Sequence, residues 1–322
     1  MNYKDLNSYK IFFSASFTQS FLKNCYLKQN INDSDKKSYQ NCYPFMYYLE
    51  HGMVYYQQAE HSPLIIQPIL LFYGFVHLVK ACILTRDPSY PETTSVLAHG
   101  VSSRKRKKQQ YCFLEDDVRI QKTGLFPYMS DQLFHMKQLE GDKVLMEDLL
   151  SNIPELNQLF YQLEGKKTFT KADRHHYNQF TISAKVLDTF YMTQNRFEDF
   201  LRGKFKESFS VKQREGELLQ VELNRHNLLT GDEALPFRFN ISEKQYYFPL
   251  SKDGLFQFPE ILIHYLLLYN LSMIARYETE WWSELMKMMS NNDYPFIQAF
   301  LEVTLVKGPF LIYQYLTAEL RT

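Results

Sequence analysis

The chain has 322 residues, enough to bury one large or two modest hydrophobic cores. Its 36 basic and 36 acidic residues balance, so the molecule as a whole is not a polycation, and affinity for nucleic acid or an acidic surface requires a local patch. Aromatic residues make up 16% of the chain, which predicts a bulky core and apolar surface grooves.

The first third of the chain is predicted to be helical. Apolar residues at helical spacing predict three helices, around Phe13–Phe21, over 44–60 and over 69–84. The polar stretch 30–38 is typical of a loop, and Pro68 fits the first turn of the third helix. The second and third helices are expected to form an antiparallel hairpin.

Beyond residue 108 the pattern changes to short strands. Strands are expected at 111–114 and 118–121, on either side of the acidic turn Glu115–Asp117. A second β-rich segment is expected over 206–250, where polar and apolar residues alternate. The remaining helices are predicted at 143–163, 188–205, 259–276 and 294–320, the last interrupted at Lys307–Pro309.

These patterns predict a mainly α protein, a helical bundle with small antiparallel β insertions. We expect an N-terminal module over 1–126 and a C-terminal module over 127–322, or one continuous domain. The four cysteines, Cys25, Cys42, Cys82 and Cys112, form no C-x-x-C pair and are expected to be reduced thiols.

Several large enzyme classes are excluded by missing motifs. Among the 11 glycines no two are spaced as G-x-G, so the dinucleotide fingerprint and the phosphate-binding P-loop are absent. The G-x-S-x-G nucleophile motif is absent for the same reason. No cofactor and no metal are expected.

The sequence predicts a cytoplasmic protein without a membrane segment. The first residues, 1–6, lack the apolar region of a secretory signal. The uncharged run Ile261–Ala275 is shorter than the roughly 20 residues that span a bilayer. The oligomeric state is not predicted.

The loop that contains His99 and Gly100 is the best candidate for a site. A neutral histidine could serve as a base or as a hydrogen-bond acceptor for a ligand, and Gly100 would let the backbone approach closely. Alternatively, His99 and Gly100 simply end a loop, with the ring bonded to a backbone carbonyl.

Five consecutive cations follow this loop: Arg104, Lys105, Arg106, Lys107 and Lys108. The arginines could clamp phosphate or carboxylate in a bidentate manner, and the run could neutralise the phosphates of RNA or DNA. It could also dock an acidic protein. The alternative is a solvated turn that is compensated by the acidic residues of Glu115–Asp117.

Arg276 ends the most apolar helix and precedes Trp281 and Trp282. A guanidinium in such surroundings needs either an anionic ligand or a carboxylate, since burying it unpaired is costly. Pairing with Glu278 or Glu280 is the structural alternative.

Two further groups are weaker candidates. His77 and Lys80, one turn apart, could face the His99 loop, although a half-buried histidine is more often part of a core. The run Asp173–His176 contains adjacent histidines, but it lacks a third ligand at a suitable spacing for a metal.

Several motifs are spread over nearly the whole chain: NCYPF (41–45), YYLEHG (47–52), LFYG (71–74), SVLAHGV (95–101) with the basic run, DLLSNIPEL (148–156), HYLL (264–267) and SMIARYE (272–278). Together they strongly resemble the bacterial YaaC-like family, which implies a protein of Bacillus-type bacteria. The family has no established activity, so this resemblance implies no function.

Residues 68–100 carry a second resemblance. A helix with Tyr73, His77 and Ala81, followed by a loop that ends at His99 and Gly100, is similar to the core hairpin of HEPN domains. Many HEPN proteins are nucleases or nucleic-acid-associated partners, and their nuclease motif is an arginine followed by four to six residues and a histidine. No arginine in this chain has a histidine at that spacing, so the resemblance does not imply their chemistry.

The sequence therefore favours a non-catalytic binding protein for a polyanion, either RNA or a phosphorylated small molecule. The predicted ligand-binding residues are His99, Gly100, Arg104, Arg106, Lys107, Lys108 and Arg276. One alternative is an interaction or regulatory module that docks an acidic partner through the same loop. The other is a nuclease or hydrolase with His99 as the catalytic base.

Overall fold

A computed structural model of the protein describes residues 3–103, 111–176, 178–205, 208–214, 216–224, 235–250, 252, 258–288 and 291–321. The basic run 104–108 lies outside the described residues. The chain divides into two compact units, unit 1 with residues 1–147 and 261–322, and unit 2 with residues 148–260. The boundary expected at residue 126 lies within unit 1.

The architecture is mainly α with small antiparallel sheets, as predicted. In chain order the helices are α1 (Ala15–Lys28), α2 (Ser34–Glu60), α3 (Gln67–Leu84), α4 (Leu125–Phe134), α5 (Met146–Leu150), α6 (Asn157–Glu164), α7 (Lys185–Phe190), α8 (Gln194–Phe205), α9 (Glu260–Tyr277), α10 (Thr279–Met288) and α11 (Asp293–Arg321). The strands are β1 (Val101–Ser103), β2 (Asp117–Ile120), β3 (Lys143–Leu145), β4 (Phe169–His176), β5 (Gln179–Ser183), β6 (Ser208–Arg214), β7 (Leu218–Asn224), β8 (Arg238–Asn240) and β9 (Gln245–Pro249).

The helices with the clearest apolar periodicity lie where the sequence predicts them. Helix α1 buries Phe21, Leu22 and Tyr26. Helix α3 begins with Pro68 in its first turn and buries two thirds of its residues, because apolar side chains surround it. Helix α9 likewise ends just after Arg276.

Two predicted helix boundaries are wrong, both at a proline. Helix α2 begins at Ser34, ten residues before Pro44, because Ser38 and Cys42 continue its buried face toward the N-terminus. Pro44 lies on the exposed face of α2, and the helix continues past it without interruption. Helix α11 also continues through Pro309 as one helix rather than breaking there.

The segment 111–114 is a loop, not the predicted strand. The buried carboxylate of Asp293 accepts hydrogen bonds from the backbone amides of Phe113 at 2.7 Å and Leu114 at 3.3 Å. This side chain satisfies amides that a strand neighbour would otherwise bind, so no strand forms. The predicted helix over 143–163 begins instead as strand β3, which completes the three-stranded antiparallel sheet β1-β2-β3 of unit 1.

Unit 2 contains a six-stranded antiparallel sheet in the order β6-β7-β5-β4-β9-β8. The sheet begins at Phe169, earlier in the chain than the predicted segment 206–250. The helix predicted over 188–205 is divided into α7 and α8, because Tyr191 adopts a left-handed conformation with φ of 52°. Their apolar residues, Phe190 and Phe197 among them, share one core with the sheet.

Helices α2 and α3 form the predicted antiparallel hairpin, and glycines set their close approach. A Cβ atom on Gly52 would lie 2.6 Å from a methyl group of Leu78, and one on Gly74 would lie 2.9 Å from the ring of Tyr56. At these two points the backbone of one helix therefore packs directly against a side chain of the other.

The loop before β1 is held in place by a second close approach. Gly100 (φ 75°) and Gly124 (φ 125°) have backbone conformations that favour glycine, and their backbones touch so closely that neither has room for a Cβ. The amides of Leu125 and Phe126 bond the carbonyls of Ala98 at 2.7 Å and His99 at 3.1 Å. Two hydrogen bonds and the contact between the two glycines therefore hold the backbone around His99 in place.

Two helices are long and apolar enough to cross a bilayer, α3 and the stretch 293–318 of α11. In each, 67% of the apolar window is buried inside the protein, as in the core helices of globular proteins. Their length and composition do not decide where the protein resides.

We expect Gly124→Ala to lower the free energy of unfolding by roughly 2–5 kcal/mol, because it adds backbone strain and overpacks a backbone contact. Gly203→Ala is the matched control, since a Cβ there meets nothing within 4 Å and Gly203 lies inside α8. That change should stabilise the protein by about 0.5–1 kcal/mol. Urea denaturation followed by circular dichroism compares the two, and equal stabilities would contradict the glycine contact.

Candidate functional site

Nitrogen-bearing and aromatic side chains converge on one face of unit 1. We call this group the basic aromatic cluster. Its members are Tyr48, His51, Tyr55, Tyr73, His77, Lys80, His99, Tyr269 and Arg276. They come from α2, α3, α9 and the loop before β1, so only the folded chain brings them together.

Arg276 is the strongest positive charge of the cluster. Its Nη1 donates to the hydroxyl of Tyr73 at 3.0 Å, and its Nε donates to the carbonyl of Ser272 at 3.1 Å. The guanidinium also lies over the rings of Tyr73 and Tyr277, 5.7 and 5.2 Å from their centroids. Cation–π contacts of this kind stabilise the charge without neutralising it.

His99 lies against aromatic rings, within reach of the field of Arg276. Its ring is 5.0 Å from Phe72 and 5.7 Å from Tyr269, both edge-on. Its carbonyl accepts a hydrogen bond from the buried hydroxyl of Tyr265 at 2.9 Å, which ties the loop to α9. Burial, with the positive charges of Arg276 and Lys80, lowers the pKa of His99, so the ring is neutral at pH 7.

His77 and Lys80 lie on α3, one and two turns beyond Tyr73. The His77 ring stacks on Tyr55 at 5.7 Å with an angle of 15°, and it meets His51 edge-on at 5.2 Å. Burial, Lys80 and His51 together lower the pKa of His77 to about 4. Burial also lowers the pKa of Lys80, whose ammonium lies 5.7 Å from the centroid of the Tyr48 ring.

No carboxylate compensates these cations within the part of the chain that the structure describes. Arg276 and Lys80 form no ion pair with a described residue, so the expected alternative pairing of Arg276 with Glu278 or Glu280 does not occur there. The cluster therefore presents hydrogen-bond donors and positive potential without an acidic partner. That arrangement favours binding an anion.

The structure fixes both flanks of the undescribed basic run. On one side, Ser103 pairs with Val118 in the β1–β2 ladder. On the other, Tyr111 donates to the buried carboxylate of Asp116 at 2.6 Å and packs edge-on against Trp281 at 4.5 Å. Ser103 and Tyr111 are thus both held within unit 1, and Ser103 follows His99 by four residues.

The other candidate groups are engaged in local structure. His175 shares a hydrogen bond with Thr181 at 2.8 Å on neighbouring strands of unit 2. Among the described residues, no three His, Cys, Asp or Glu side chains are grouped as a metal site requires. Cys25, Cys42 and Cys82 are buried and Cys112 is partly buried, all as free thiols.

Unit 2 contains a polar cleft of about 400 Å³, in which acid and base are already paired. Glu243 accepts hydrogen bonds from Tyr247 at 2.6 Å and lies 3.2 Å from the ammonium of Lys171. The hydroxyl and the lysine lower the pKa of Glu243. The pairing of Lys171 with Glu243 distinguishes this cleft from the basic aromatic cluster, where Arg276 and Lys80 have no such partner among the described residues.

Of the predicted site residues, the fold brings His99 and Arg276 together, and Gly100 shapes the loop beside them. Arg104, Arg106, Lys107 and Lys108 lie outside the described residues. His77 and Lys80, weaker candidates from the sequence alone, also belong to the cluster. With Tyr73, they form a polar i, i+4, i+7 stripe on an otherwise apolar helix, and that pattern was the available signal.

Comparison with known proteins identifies one family. The family model described as YaaC-like Protein matches residues 10–316. No curated protein and no solved structure matches the chain, and the HEPN resemblance stays a prediction.

The lowered pKa of His77 predicts a pH-dependent stability. Between pH 6.5 and about 4 the unfolded chain binds a proton at this position and the folded chain does not. Stability should therefore fall as the pH is lowered through this window. The variant His77→Phe keeps a stacked ring but cannot titrate, so its stability should fall less steeply.

Urea midpoints measured between pH 4 and 7 test this prediction. The control is His61→Phe, which changes an exposed histidine of the same unit. Identical slopes for wild type and His77→Phe would contradict the assignment.

Proposed function

The chain belongs to the YaaC-like protein family, and we propose, from the geometry of the site, that it binds the phosphate groups of a polyanionic ligand at the basic aromatic cluster. The observation that carries the proposal is the state of Arg276. Its guanidinium is held by Tyr73, Tyr277 and a backbone carbonyl, and no described carboxylate neutralises it.

The groups around Arg276 favour the binding of an anion over the binding of a cation or a neutral ligand. Two groups that lie near it, His99 and Tyr73, offer neutral hydrogen-bonding atoms beside the charge. A neutral imidazole can donate from one nitrogen, and a guanidinium can bind two phosphate oxygens at once. Lys80 adds a second positive charge, which contributes to the lowered pKa of both His77 and His99.

A polyanion is favoured over a single phosphate because the basic run begins five residues after His99 in the sequence. We propose that Arg104, Arg106, Lys107 and Lys108 contact further phosphates of a ligand whose first phosphate lies at Arg276. The described residues on either side of the run, Ser103 and Tyr111, are held by the β1–β2 ladder and by Asp116. Such a ligand is found in the cytoplasm, where we place the protein.

We assign no catalysis to this site. His99 is close to Arg276, but the geometry does not identify a reacting bond, and binding alone explains the arrangement. A protein partner with an acidic segment would use the same charges, so it is the competing outcome of the experiments below.

The variant Arg276→Gln should weaken binding of a labelled 12-nucleotide single-stranded RNA by about tenfold or more, because a charge-assisted hydrogen bond is lost. Arg276→Lys, which keeps the charge but loses the bidentate fork, should lie between wild type and Gln. Fluorescence anisotropy at low salt measures the three dissociation constants.

The matched control is Arg119→Gln, which removes an exposed arginine of β2 in the same unit. It should bind like wild type. Equal losses at Arg119 and Arg276 would indicate unspecific charge attraction and would contradict the site. Tighter binding of poly-glutamate than of RNA would favour the acidic protein partner.

We expect the basic run to contribute to the salt dependence of RNA binding. Changing Arg104, Arg106 and Lys107 together to Ser should reduce the slope of log K against log salt by about 2, as expected for three lost contacts to a single strand. The salt series uses the same RNA. An unchanged slope would remove the run from the binding surface while leaving the Arg276 site intact.

A further inference from the structure

We propose that the exposed ridge of α2 is a stacking track for the bases of single-stranded nucleic acid, and that the track leads into the basic aromatic cluster. This inference rests on the proposed function, because the cluster holds the phosphate at one end of the strand. It adds the class of ligand, which charge alone does not define.

The track is a regular row of aromatic residues. Tyr39, Tyr43, Tyr47, His51 and Tyr55 follow one another at intervals of four residues on α2. Side chains four apart are neighbours on the helix surface, with Cβ atoms about 6 Å from each other, and a row of them winds gradually around the helix because its inclination to the axis is about 26°. The rings of Tyr43 and Tyr47 are 6.2 Å apart, and the row extends about 24 Å along the helix axis.

The first three rings project into solvent. Tyr39, Tyr43 and Tyr47 are 69%, 53% and 55% exposed. Their hydroxyls bond no residue that the structure describes. The opposite face of the same helix is buried at Phe45 and Leu49, so the packing of α2 does not require tyrosines on its outer ridge.

The inner end of the row joins the cluster through ring contacts. His51 meets His77 at 5.2 Å, and Tyr55 lies 6.2 Å from the ring of Tyr73. Tyr73 in turn accepts the hydrogen bond of Arg276. A strand with its phosphate at Arg276 would therefore find the first ring of the row directly beside it.

The chemistry of the row selects a nucleic acid among possible polyanions. Between Tyr39 and Tyr55 the sequence contains one acidic residue, Glu50, and no lysine or arginine. The ridge therefore offers π faces rather than ion pairs, with Lys36 and Lys37 before its outer end and the cations of the cluster at its inner end. Single-strand binding surfaces combine two components, aromatic rings that stack on the bases and positive charge that binds the phosphates. Bases in a duplex are already stacked on each other, so a duplex cannot use the row in this way.

The test compares two labelled 12-mers with equal backbone charge, oligoadenylate RNA and an abasic phosphodiester strand. We expect wild type to bind the RNA at least about tenfold more tightly. The double variant Tyr43→Ser, Tyr47→Ser should lose about tenfold in RNA affinity and keep its affinity for the abasic strand. The variant Tyr43→Trp, Tyr47→Trp should retain RNA binding, because tryptophan stacks as well as tyrosine.

Controls and contrary outcomes are separable. Tyr161→Ser and Tyr191→Ser remove tyrosines of unit 2 that are 57% and 91% exposed, and they should change neither affinity. If wild type binds the RNA and the abasic strand equally, or an RNA duplex as tightly as the single strand, the track is wrong and the phosphate site stands. If neither 12-mer binds, the proposed function fails and the track with it.

Discussion

The close packing of α2 against α3 is the constraint on which the rest of unit 1 depends. Gly52 and Gly74 remove the Cβ atoms that would hold the two helices apart. As a result, Tyr55 and His51 of one helix reach Tyr73 and His77 of the other. A wider spacing would leave the aromatic row of α2 and the polar stripe of α3 as two unconnected surfaces.

The loop with His99 is brought to this hairpin by a different contact. Gly100 and Gly124 meet backbone to backbone, and the buried hydroxyl of Tyr265 holds the carbonyl of His99. Since both α9 and this loop are fixed in this way, Arg276 and His99 share one environment. The position of Arg276 thus results from contacts made by residues far away in sequence.

The neutral state of its histidines reduces the electrostatic repulsion within the cluster. Charging His77 and His99 beside Arg276 and Lys80 would add like charges to a half-buried surface, and their lowered pKa values keep them neutral. Tyrosine rings stabilise the cations that remain. The cluster therefore keeps a positive potential that unit 1 tolerates without an acidic neighbour among the described residues.

The sequence by itself determined the family, the mainly helical class and the helices with strong apolar periodicity, because these depend on local pattern. It also made His99 and Arg276 candidates for a site, since a histidine in a loop and an arginine ending an apolar helix are local exceptions. Only the tertiary structure decided that α2 and α11 pass through Pro44 and Pro309, where burial of a continuous face outweighs the missing amide. It also decided that His77 and Lys80 belong with Arg276, because their proximity arises from helix packing, which no spacing along the chain records.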